Sequence, residues 1–310
     1  MIPAPQSANV ENGEATSLGS ATRAAVSCAT RLAGQSQEFT LTLETVSGRQ
    51  VPVTIFAPVQ SGNYPLIAFS HGAFAAPDRY RAMLAPIAAA GFVVIAPMHI
   101  DSEDFGNEAA PSQAEVWRTR NLDLALALAR PQAVIDELSS RELELDPERT
   151  VALGHSYGAL IAHLAAGAQA IEGVGEAADR RNAAVDVAVG WSPPGPRAGL
   201  IEPEGWSSLA VPTLTITGTK DVFPGFVDDW RVHTTSYDNT PSGLGALWVG
   251  EDVDHYFGGV FGREKPVDAA SQRLFNRALA TSLEFMERGL NTAHRCMLDG
   301  PITGETRSSN

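Results

Sequence analysis

The stretch RTVALGHSYGALIAHLAAG, Arg149–Gly167, decides how the rest of the chain is read. It opens with a short apolar run, Thr150–Gly154, and continues from Tyr157 with apolar residues at helical spacing. Between them sits Ser156, with Gly154 and Gly158 two residues to either side. In a chain with 28 glycines the bare G-x-S-x-G pattern is weak. A strand that runs straight into the serine and a helix that leaves straight from it make it much stronger. A serine on so sharp a turn has a strained backbone and a hydroxyl raised at the carboxyl edge of a sheet.

Working outward, the chain alternates strands and helices. FTLTLET (Phe39–Thr45) and VPVTIFA (Val51–Ala57) alternate apolar and polar residues and predict an antiparallel hairpin across Ser47 and Gly48. Six further strand candidates are continuous apolar runs, at 65–70, 92–97, 150–154, 185–190, 211–218 and 245–250. Such runs suit strands buried on both faces of a parallel sheet. Helical patterns lie between or after them at 78–91, at 112–141 with a break near Pro131, at 157–171 and at 267–290. This alternation predicts an α/β domain of eight mostly parallel strands flanked by helices. We expect one catalytic-sized domain over 37–296, a polar lead-in at 1–36 with a short helix at Ala21–Leu32, and a tail at 297–310.

Composition narrows the function classes. The 310 residues carry a net charge of -14, which disfavours nucleic acid as a partner. No apolar run is long enough to span a membrane. The first twenty residues do not form an intact signal peptide. A secreted or periplasmic origin is favoured over a cytoplasmic one, but the compartment is left open. Cys28 and Cys296 lie near opposite chain ends, where a disulfide is as reasonable as two free thiols. With no C-x-x-C and no distinctive ligand spacing, no metal or cofactor is expected; the cluster His99, Asp101 and Glu103 is weighed as a metal site and set aside.

A serine hydroxyl needs a general base, and the base an orienting acid. Of the histidines after Ser156, only His255 directly follows an apolar strand; His233 and His294 read as surface residues. Asp221, in the loop after the strand 211–218, is the acid candidate, ahead of Asp228, Asp229, Asp252 and Asp254. The amides of Tyr157 and of Ala73, in the loop FSHGAFAAPDRY, are the candidate oxyanion donors. His71 in that loop reads as a brace and not a second base.

Eight strands, with Ser after the fifth, Asp after the seventh and His after the eighth, resemble the α/β-hydrolase superfamily. Within it, YPLIAFSHGAFAAPDRYRAMLAPIAAAGFVVIAPMHID followed by GHSYG is similar to dienelactone hydrolase-like, chlorophyllase-like and platelet-activating-factor acetylhydrolase-like carboxylesterases. Cutinase-type polyester hydrolases are more distant. The resemblance spans roughly residues 37–290. It implies Ser156 as nucleophile, His255 as base, Asp221 as acid, and Ala73 and Tyr157 as oxyanion donors. Dienelactone hydrolases proper carry a cysteine nucleophile, and this chain departs from them there.

About 20 residues (191–210) separate the sixth and seventh strands, too few for a lid domain. An open site suits a soluble or surface-presented ester, of short to medium chain or aromatic. Phe74, Tyr157, Trp191, Phe223, Tyr256 and Phe257 are expected on its rim. The acidic loop 99–110 either borders the mouth or is simply solvated. An amidase or perhydrolase on the same residues, and a non-catalytic binding protein on the same fold, are the alternatives. Oligomeric state is not legible.

Overall fold

The structure, a computed structural model, describes residues 34–107, 109–174, 184–261, 267–290 and 305–308. The helix expected at Ala21–Leu32 and both cysteines lie outside these residues.

The first two strands, β1 (Ser36–Glu44) and β2 (Gln50–Pro58), form the expected hairpin. Then follow β3 (Gly62–Ser70), α1 (Arg81–Ala89), β4 (Val93–Pro97), α2 (Gln113–Leu128) and α3 (Gln132–Ser139). Pro131 separates α2 from α3, because proline cannot supply the amide that would continue a helix. Next come β5 (Leu143–His155), α4 (Tyr157–Ala165), β6 (Val187–Trp191), β7 (Thr213–Lys220), α5 (Thr235–Asn239), β8 (Gly245–Asp254) and α6 (Ala269–Gly289). All eight expected strands are present. A ninth, β9 (Glu305–Ser308), pairs antiparallel with β8. It falls in the stretch expected as a tail, where no apolar pattern marks it; the unpaired backbone edge of β8 is what it satisfies.

The order is β1-β2-β4-β3-β5-β6-β7-β8-β9, with parallel pairing from β4 through β8. The two-residue period of the strands divides the apolar core between the two sheet faces. Leu66 and Ala68 of β3 pack on one face with Trp117, Leu124 and Leu160 from α2 and α4. Ile67 and Phe69 pack on the other with Met83, Leu84, Phe275 and Leu279 from α1 and α6. Each fully buried large side chain contributes about 1.5–3 kcal/mol. Between β6 and β7 the chain forms only two short turns of 3₁₀ helix, Gly195–Ala198 and Pro203–Ser208. Nothing there covers the carboxyl edge with a domain.

The tightest packing is at the turn from β5 to α4. A Cβ at Gly158 would overlap the carbonyl of Ser70, and one at Gly154 would overlap the carbonyl of Gly158. Both obstacles are backbone, which cannot rotate aside. Gly158→Ala is therefore expected to lower the unfolding free energy by about 3 kcal/mol or more, read from the midpoint of urea denaturation. A loss below about 1 kcal/mol would show that α4 can retreat from β3.

Candidate active site

Six loops leave the carboxyl edge of the sheet, and the residues singled out above lie on them. Ser156 closes β5 and caps α4 with φ 53° and ψ -121°. This is a strained conformation for a residue with a side chain, costing about 1–3 kcal/mol. Its amide donates to the carbonyl of Trp191 at 2.8 Å, which fixes the turn against β6. The amide of Tyr157 is at the first position of α4, where helical amides have no partner within the helix. It is thus available to an incoming acceptor.

His255, just past β8, places Nδ1 2.7 Å from Asp221 Oδ1. A carboxylate only accepts, so Nδ1 carries the hydrogen and Nε2 is the free basic nitrogen. Asp221 Oδ2 accepts from Thr217 Oγ1 at 2.8 Å. Burial alone would raise the Asp221 pKa, but the two imidazoles beside it, His233 and His255, hold it well below the usual carboxylate range. The second of these was not anticipated. His233, read from sequence as a surface residue, is buried, with Nε2 2.9 Å from Asp221 Oδ1. Its segment looks polar, but the 3₁₀ turn Trp230–Thr234 rolls it inward.

Ser156, His255, Ala73 and Tyr157 all line one cavity of about 480 Å³. Among the expected rim residues, Phe74, Tyr157, Phe223 and Tyr256 line it too. Trp191 and Phe257 do not. Trp191 follows Val187 and Val189 at two-residue spacing, so its ring lies on the α6 face, fully buried, with Nε1 donating to Ser282 Oγ. Phe257 is 1% exposed and packs on Trp191 and Phe275. Both belong to the core. Pro194, Phe226, Val227 and Phe261 take their places in the wall. The Pro224–Gly225 turn is a legible signal for two of them, Phe226 and Val227, since Phe223 and Val227 pair across it as a small bridge.

The loop that carries Ala73 is held from below. Arg120 of α2, fully buried, grips both carboxylate oxygens of Asp101 at 2.8–2.9 Å. It also donates to the carbonyls of His71 at 2.6 Å and Gly72 at 3.0 Å. His71 donates through Nδ1 to Gly72 O and accepts the His99 amide at Nε2. It is therefore a neutral brace, and burial drives its pKa well below the ordinary value. Burial would raise the Asp101 pKa, but the Arg120 guanidinium outweighs it and holds it well below the usual range.

A directed chain of hydrogen bonds runs behind the cavity. His155 Nε2 lies 3.0 Å from the carbonyl of His255, which can only accept. Nε2 therefore carries the hydrogen. Burial keeps the ring neutral, so Nδ1 accepts from Tyr80 Oη at 2.9 Å. Tyr80 Oη in turn accepts from the Gly72 amide at 2.9 Å. One tyrosine and one histidine thus tie the Ala73 loop, the serine turn and the His255 loop together.

His99, Asp101 and Glu103 do not converge. His99 bonds Ser70 and Asp123, Asp101 faces Arg120, and Glu103 lies at the cavity mouth near Arg79. Among the described residues, Asp221, His233 and His255 have donor atoms within 4.8 Å of one another. Direct pairing of the two rings with the carboxylate accounts for that closeness.

The sequence model of the chlorophyllase family matches residues 30–173. The match covers the Ala73 loop and Ser156 and stops before Asp221, His233 and His255. No curated protein matches the chain. The mostly parallel sheet flanked by helices fits an α/β-hydrolase fold, and the first half of the chain is similar to chlorophyllases.

The Arg120–Asp101 pair gives a pH-dependent prediction. A carboxyl group whose folded pKa is depressed adds stability above its unfolded value, and loses it as pH falls through the folded one. Asp101→Asn leaves a buried guanidinium uncompensated, so at pH 7 it is expected to cost about 3–5 kcal/mol. The gap to wild type should narrow as pH falls below about 4, measured by denaturation at a series of pH values.

Proposed function

We propose that this α/β-hydrolase, similar to chlorophyllases over residues 30–173, is a serine carboxylesterase. In this reading Ser156 is the nucleophile, His255 the base and Asp221 the acid. The observation that carries it is the strained Ser156 facing the same cavity as a histidine whose Nδ1 is committed to a buried carboxylate. A carboxylate-anchored imidazole has its other nitrogen free to take a proton, and a serine hydroxyl is the proton donor a hydrolase of this kind needs.

The reaction is two-step acyl transfer. His255 Nε2 takes the Ser156 proton as Oγ attacks the ester carbonyl. The amides of Ala73 and Tyr157 receive the developing oxyanion. His255 then gives the proton to the departing alcohol. Water, deprotonated by His255, attacks the acyl-enzyme and releases the acid. Asp221 stays ionised and stabilises the imidazolium in each step.

The wall supports an apolar acyl or aromatic group. Tyr157, Phe226, Val227 and Pro194 line the cavity, while Phe74 (63% exposed) and Phe223 (45%) stand at its open side. About 480 Å³ suits a short- to medium-chain or aromatic ester. The open side also admits an ester presented on a surface.

Release of p-nitrophenol from acetyl, butyryl, octanoyl and palmitoyl esters tests this with wild type and Ser156→Ala side by side. Turnover of the shorter esters is expected, with kcat falling by about 10⁴-fold or more in the alanine variant. A fluorophosphonate should add covalently to Ser156, seen by mass spectrometry. Equal trace activity in both proteins, with no adduct, would sink the esterase reading and favour a binding protein.

A further inference from the structure

His233 has a carbonyl against one ring nitrogen and a carboxylate against the other. Nδ1 lies 2.8 Å from Pro193 O, and Nε2 lies 2.9 Å from Asp221 Oδ1. Neither oxygen has a hydrogen to give while Asp221 is ionised. Nδ1 donates to the Pro193 carbonyl, whereas Nε2 lies beside the carboxylate without an aligned hydrogen bond. A second proton on Nε2 puts a positive charge at ion-pair distance from Asp221, where a neutral ring would leave a buried polar nitrogen unsatisfied. The carboxylate is meanwhile held as an acceptor by His255 Nδ1 on Oδ1 and Thr217 Oγ1 on Oδ2.

We propose that His233 is a positioning residue: a buried imidazolium that shares Asp221 with His255 and so sets the net charge against which the base works. The inference rests on the esterase reading above for its effect on rate, but not for the charge of the ring. With His233 charged, the Asp221–His233 pair is neutral. When His255 takes the serine proton, it then meets a carboxylate already half-committed to another cation. The rings of His233 and His255 are 5.7 Å apart, close enough for one charge to disfavour a second.

Among the described residues, the groups around His233 supply no second charge of this kind. His155, behind His255, is buried and neutral. On the segment of His233 itself, Arg231 pairs with Asp229 at the surface, and Asp238 accepts from Thr234. Burial pushes the His233 pKa down, yet Asp221 outweighs burial and the net direction is upward. A raised value favours the charged ring, and the charge is lost as pH rises through it.

Two measurements test the proposal. In ¹⁵N-histidine-labelled protein, NMR at pH 7 should show His233 with hydrogens on both ring nitrogens. A singly protonated, neutral ring at that pH would overturn it. In kcat/KM against pH, the neutral variants His233→Gln and His233→Asn should move the acidic limb up by about one pH unit. That is about a tenfold loss on the limb, with the plateau reduced only a few-fold. Wild type should also show an alkaline decline that the variants lack. A limb that stays in place, with a uniform fall of kcat at all pH values, would assign His233 a merely structural role. Should Ser156→Ala retain full activity, the esterase reading fails, while the NMR result still decides the charge on His233.

Discussion

One guanidinium sets the geometry on which the site depends. Arg120 lies in the middle of α2, on the face turned toward the sheet, with no access to water. Its five donors answer two carboxylate oxygens of Asp101 and two consecutive carbonyls, those of His71 and Gly72. Those carbonyls lie directly before Ala73, so the direction of the Ala73 amide follows from what Arg120 grips. No shorter or unforked side chain reaches all four acceptors, and each buried acceptor left without a donor costs about 1–3 kcal/mol. On its other side, the same loop is tied through the Gly72 amide to Tyr80, His155 and the carbonyl of His255. Helix α2, the Ala73 loop, the serine turn and the His255 loop therefore form one hydrogen-bonded body. The long apolar stretches between them only bring it to the edge of the sheet.

The structure also holds a second serine, histidine and aspartate in sequence of contact. Ser70 Oγ is 2.8 Å from His99 Nε2, and His99 Nδ1 is 3.0 Å from Asp123 Oδ2. Asp123 is paired further with Arg49. By distances alone this set resembles a hydrolytic triad. It is fully buried and does not line the cavity in front of Ser156, and Ser70 ends β3 in strand geometry. Burial pushes the His99 pKa well below the ordinary value, so the ring serves as a fixed hydrogen-bond link beneath the Ala73 loop. What separates the two sets is the positive φ of Ser156 and the cavity in front of it. Residue type and spacing do not.

Sequence reading reached the strands, the split of the long helix at Pro131, and the placement of Ser156, Asp221 and His255 on adjoining loops. These rest on short-range signals: apolar runs, a proline, glycines around a turn. It missed what depends on which way a side chain points after the chain has turned. Trp191 ends a strand whose alternation already assigns it to the α6 face, yet its position at the carboxyl edge suggested the cavity. Phe257 likewise sits at the edge but turns inward onto Phe275. His233 and Arg120 were illegible for a different reason. Both are charged or polar residues in unremarked segments, and their partners lie far away in sequence. Asp101 and Arg120 are 19 residues apart, and Asp221 meets His233 only because a 3₁₀ turn folds back under β7.

The bond from the Ser156 amide to the Trp191 carbonyl bears on the order in which the molecule comes together. Strand β5 and helix α4 are complete by residue 165, but Trp191 is synthesised later and reaches Ser156 only when β6 zips onto β5. Until then, the serine turn lacks that anchor and rests on its packing against β3, where Gly158 meets the Ser70 carbonyl. The strain at Ser156 is therefore shared between two neighbours, one earlier in the chain and one later. The later anchor belongs to the half of the sheet that carries Asp221 and His255.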